Sequence, residues 1–106
     1  MPVEVTTRHV EISKGIQLYA HSLGEMLLEV FPRLENVHIV LDAEKRQYVA
    51  AVVVQGKGRV RFEAVEKCDD NVRAAVDGAF GRAERYLRKQ QNRVRDRKKT
   101  RVQRKE

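Results

Sequence analysis

The sequence predicts an α+β fold, a two-layer sandwich of element order β-α-β-β-β-α with two helices on one face of a four-stranded sheet. Three observations carry that expectation. Two segments, Ile16 to Phe31 and Val72 to Leu87, place apolar residues at helical spacing. Three segments between them alternate, or run apolar, in β-branched residues. The chain of 106 residues is 42% hydrophobic, which suits a single domain with a true core.

The elements follow in order. Val3 and Val5 alternate with Glu4 and Thr6 in a β-branched stretch reaching Val10, which predicts an N-terminal strand. Ser13 is placed to cap the helix that follows. Along that helix Ile16, Tyr19, Ala20, Leu23, Leu27, Val30 and Phe31 trace one face, and Pro32 ends it by pushing its predecessor out of the α region. Val37, Ile39 and Leu41 alternate with His38, Val40 and Asp42 in a second strand. The run Gln47 to Gln55 is almost wholly apolar, as a strand inside a sheet should be, and the polar segment Ala43 to Arg46 before it reads as a hairpin. Gly56-Lys57-Gly58 is a second turn, with two residues free to take positive φ, before Val60, Phe62 and Ala64 alternate with Arg59, Arg61 and Glu63. Three successive antiparallel strands make a meander, and the first strand must pair beside it. Asp69-Asp70-Asn71 then offers caps for the last helix, along which Val72, Val76, Ala79, Phe80, Ala83 and Leu87 share a face. Beyond Asn92 too few apolar residues remain for packing, so the expected organisation is a folded domain over 1–92 and a disordered basic tail over 93–106.

The net charge of +7 is unevenly placed. Residues 1–81 hold 10 basic and 12 acidic side chains, a net of −2, whereas residues 82–106 hold 12 basic and 3 acidic, a net of +9. Such a block points to a polyanion partner, nucleic acid before an acidic membrane surface. No apolar run is long enough to span a membrane and no secretory signal is visible, while the lone Cys68 excludes an internal disulfide framework; a cytoplasmic protein is expected.

Helical phasing sharpens the polyanion reading. Arg82, Arg85, Lys89 and Arg93 fall in one stripe away from the apolar face, and Arg88 and Arg95 flank it. Solvated faces normally mix both signs, but here only Glu84 offsets the cations before Asp96, so the stripe repels itself and phosphate binding gives it a purpose. Arginine dominates, which favours bidentate phosphate contact and stacking on bases. A membrane helix would need free Leu, Phe or Trp, whereas the apolar face of this one is needed by the core. Gly78 and Gly81 also project away from the core stripe, consistent either with close approach of a nucleic-acid backbone or with drift in a helix anchored elsewhere. Gly-Ala-Phe-Gly matches the loop of KH domains in spacing only, since its residues continue a helical period and the strand order differs. Catalysis finds no constellation: His9, His21 and His38 are scattered without metal-ligand spacing, and there is neither a phosphate-binding loop nor a dinucleotide fingerprint. No enzymatic activity, metal, cofactor or small-molecule substrate is expected.

Several stretches resemble the ribosome hibernation promoting factors, the family that includes the ribosome-associated inhibitor called protein Y. They are Thr7-Arg8-His9-Val10-Glu11, Asn36-Val37-His38-Ile39-Val40-Leu41, Ala74-Ala75-Val76-Asp77 and Glu84-Arg85-Tyr86-Leu87-Arg88-Lys89. The resemblance covers the chain to about Arg93 and fits the short, single-domain type. It implies a factor that binds the small ribosomal subunit in the mRNA and tRNA channel, inhibits translation and preserves idle ribosomes in stationary phase or stress. It also implies rRNA contacts at Arg82, Arg85, Arg88, Lys89 and Arg8, with Arg93 extending the stripe, and a chain that is monomeric off the ribosome. Thr7 stands where the family has glycine, Arg73 where it has an aromatic residue, and Gln90-Gln91 where it tends to have His-Lys. The alternative is a general RNA-binding module, because the closing α-β-β-β-α order resembles a double-stranded-RNA-binding domain. Asp-Asp-Asn at the start of the last helix replaces the lysine-rich end such domains turn to phosphates.

Overall fold

The computed structural model describes residues 2–104 except residues 58–60 and Asp70, with side chains described to Gln91. The elements are β1 (Val3–Arg8), α1 (Lys14–Val30), β2 (Leu34–Glu44), β3 (Gln47–Gly56), β4 (Arg61–Cys68) and α2 (Val72–Arg104). The predicted β-α-β-β-β-α order and the two-layer α+β sandwich are what forms. The sheet has spatial order β1-β2-β3-β4; β2, β3 and β4 are a meander, and β1 lies parallel to β2. A parallel pair needs a crossover, and α1 supplies it.

Strand alternation divides the sheet into two faces. The rows Val3–Val37–Val54–Phe62 and Val5–Ile39–Val52–Ala64 point at the helices. Ile39, Leu41, Val52 and Val54 are fully buried there, together with Ala20 of α1 and Ala75, Val76, Ala79 and Ala83 of α2. Alanine dominates the buried face of α2, which lets the helix axis come close to β3 and β4. The opposite rows, such as Thr6–Val40–Ala51–Val65 and Arg8–Asp42–Val49–Lys67, carry no helix.

The ends of the elements have local causes. The Ser13 hydroxyl accepts the Ile16 N–H at 3.3 Å, and the Asn71 side chain accepts the Ala74 N–H at 3.1 Å. Of the three candidate caps for α2, Asn71 does the work, and Asp69 instead accepts from Gln47 at 2.7 Å. The hairpin expected over Ala43–Arg46 is tighter, with Lys45 and Arg46 alone linking β2 to β3 and Lys45 at φ 52°. Gly56 does not take positive φ as expected. It is glycine because a Cβ would collide with the Arg33 carbonyl, to which the Lys57 N–H donates at 3.0 Å. The remainder of that turn lies outside the described residues.

Two expectations change. Val30 is 47% exposed, not part of the core face of α1, since the packed positions shift to Leu27 and the following Phe31. More important, α2 does not fray near Asn92: its backbone stays helical to Arg104. After Gly81 the chain has neither Gly nor Pro, and Arg, Lys and Gln are strong helix formers. Among the described residues no helix is long and apolar enough to cross a membrane.

Candidate nucleic-acid interface

The buried stripe of α2 faces the sheet, so its two flanks face β4 on one side and α1 on the other. The cations divide between them. Arg82, Arg85 and Lys89 lie together on the β4 flank, where they line a groove of about 380 Å³ with Phe62, Glu63, Ala64 and Tyr86. All three are exposed. Arg82 is partly committed: its guanidinium donates to the Val65 carbonyl at 2.8 Å and lies 3.6 Å from Glu66. It thereby satisfies a backbone group on edge strand β4, a group that would otherwise be left to solvent. Arg85 and Lys89 make no ion pair among the described residues.

Arg88 is on the α1 flank. Its Nε is 3.3 Å from Glu84, one turn earlier, and its guanidinium lies 6.0 Å from the centroid of the Phe31 ring. Two further contacts tie that flank to α1. Tyr19 donates to Asp77, and Arg73 lies 4.5 Å over the Tyr19 ring. The hydrogen bond to Asp77 raises the Tyr19 pKa above its ordinary value, with burial adding to it. Position 73, where the resembled family has an aromatic residue, is thus occupied by a cation stacked on one.

Arg8 is not brought to this groove. It ends β1, on the opposite edge of the sheet and on the face without helices, in a row with Asp42, Val49 and Lys67. Asp42 accepts from the Ala43 N–H at 2.7 Å and lies 3.1 Å from His9. These contacts, the backbone one first, hold its carboxyl below the ordinary value. The Arg93 side chain lies outside the described residues, although its Cα continues the same helix.

The glycines separate too. A Cβ on Gly78 would meet Glu66 Cγ at 2.7 Å, so this glycine lets β4 approach α2, and contact with the sheet does explain it after all. A Cβ on Gly81 would meet only the tip of Arg85, at 4.0 Å. The Gly-Ala-Phe-Gly segment is plain helix.

Phasing alone did not reveal the aromatic floor of the groove. Phe62 and Tyr86 are stacked, with ring centroids 4.3 Å apart and planes 7° from parallel. Both are half-buried. On the wheel Tyr86 falls between Arg82 and Ala79, at the border of the apolar stripe, and that position is the one signal for it in the sequence. Among the described residues no group of His, Cys, Asp or Glu is gathered to hold a metal ion.

Comparison with known proteins agrees with this architecture. The fold matches a ribosomal subunit interface protein from Coxiella burnetii with a TM-score of 0.70 and 22% identity, over 87% of this chain and 99% of that one. It matches the N-terminal domain of protein Y from Thermus thermophilus with a TM-score of 0.71 and 22% identity, over 84% of this chain and 98% of that one. No curated protein matches the sequence. Residues 3–95 match the model of the family described as sigma 54 modulation protein / S30EA ribosomal protein, and the chain belongs to that family.

Proposed function

We propose that the protein is a non-enzymatic ribosome-binding factor that occupies the decoding channel of the small subunit, inhibits translation and preserves idle ribosomes. The observation that carries this reading is the exposed file of Arg82, Arg85 and Lys89 on one flank of α2, in a chain of the S30EA ribosomal protein family. The file suits rRNA phosphates, with affinity coming from counterion release and little sequence reading. Arg93 extends it by one turn, Arg88 meets phosphate from the α1 side, and Arg8 makes a separate contact at the far edge of the sheet. Inhibition is steric, because a domain held in the channel excludes mRNA and tRNA. The protein acts in the cytoplasm during stationary phase or stress, as a monomer when off the ribosome.

The test is binding of the Arg85→Glu/Lys89→Glu variant to purified small subunits. Arg82 is spared, because it also clamps β4. The variant is expected to bind at least tenfold more weakly, with thermal unfolding unchanged. Undiminished binding would remove α2 from the interface. Equal affinity for arbitrary RNA duplexes would instead favour a general RNA-binding module.

A further inference from the structure

The groove between α2 and β4 has a feature that phosphate binding does not use. Phosphate contact needs cations alone, yet the floor here is the stacked Phe62–Tyr86 pair, half-buried between Arg82, Arg85 and Lys89. Both rings pack against the edge of the core, yet unlike their neighbours Ala79 and Ala83 neither is fully buried. Instead they sit at a corner of the sheet, Phe62 at the start of edge strand β4, and the groove keeps them open to solvent.

Resting on the ribosomal reading of α2, we infer that this groove binds one unstacked nucleobase of single-stranded RNA, with the flanking phosphates on Arg85 and Lys89. Aromatic rings beside a file of cations are the general means of holding single strands, because every base has a π-face and every linkage a charge. A duplex hides its base faces and would leave the aromatic floor idle. The size agrees: about 380 Å³ is at the small end of ligand sites and suits one base. Arg85 and Lys89 are one turn apart, about 6 Å along the helix, so they reach successive points on a backbone.

The chain has three tyrosines and no tryptophan, so a base stacked on Tyr86 can be followed by tyrosine fluorescence. A mixed-sequence single-stranded RNA octamer is expected to quench that emission in the wild-type protein, and a blunt duplex of the same sequence is not. By fluorescence anisotropy, Tyr86→Leu should weaken octamer binding about tenfold while changing duplex binding less than twofold, and Tyr86→Phe should restore it. Absence of quenching by the octamer in wild type overturns the inference, and that result does not depend on whether any variant folds. Octamer affinity within twofold of wild type in a folded Tyr86→Leu protein overturns it as well. Sedimentation of the wild type with small subunits reads the ribosomal proposal separately. Sedimentation without quenching would leave that proposal standing and remove the base contact; quenching without sedimentation would do the reverse.

Discussion

Arg82, Arg85 and Lys89 look equivalent on a helical wheel, yet the fold gives them different work. Arg82 hydrogen-bonds the Val65 carbonyl and neighbours Glu66, so part of its charge is neutralised within the protein. Arg85 and Lys89 carry the exposed positive field of that flank. At the other end of the sheet, Asp42 illustrates a charge set by its own backbone. The Ala43 N–H, and then His9, hold its carboxyl below the ordinary 3.8. In acid the unfolded chain therefore protonates Asp42 before the folded protein does. The stability Asp42 contributes is complete above about pH 5 and is lost as pH falls through the unfolded and then the folded pKa. Asp42→Asn should be less stable than wild type at neutral pH, and the gap should close as thermal unfolding is followed down to about pH 2. A gap that stays constant with pH would show that the carboxylate contributes no linkage.

At the scale of elements, the two glycines of α2 make opposite predictions. Each costs about 1 kcal/mol against alanine in a helix interior. Gly81 has open space around its Cα, so Gly81→Ala should stabilise by about 0.5–1 kcal/mol in chemical denaturation. Gly78 faces the Glu66 side chain at 2.7 Å, so Gly78→Ala should give no gain unless Glu66→Ala is made as well. Equal stabilisation by both single changes would mean that α2 is not seated on β4 as described. The elements themselves were legible in sequence, because the period of Ile16 to Leu27 and the alternation of Val37, Ile39 and Leu41 are strong local signals. What lay between elements was not. The wheel placed Gly78 off the core stripe, but only the sheet order puts Glu66 beside it. Phe62 and Tyr86 lie on different elements, and no local pattern says that they stack. At the end of α2, scarcity of apolar residues argues against packing, not against helix, and the backbone stays helical to Arg104.

For the whole molecule, the two-part charge takes on a spatial meaning. The near-neutral body is the sandwich, and the basic block begins on α2 where it packs on the sheet and continues along the same helix to Arg104. The long extent of 59 Å, against 27 and 20 Å in the other directions, fits one helix outrunning the domain that seats it. Among the described residues the buried core lies between Val3 and Leu87, so a chain ending at Asn92 should unfold cooperatively with a melting temperature within a few degrees of the full protein. It should also bind RNA more weakly and with a shallower salt dependence, since it lacks eight of the cations. Loss of cooperative unfolding on that truncation would make the basic segment part of the folded unit. Sedimentation of a stationary-phase lysate through a density gradient at moderate salt tests association with the ribosome. The protein should travel with small subunits or whole ribosomes and be released as salt is raised. If it stays at the top of the gradient at every salt concentration, the ribosome is not its partner.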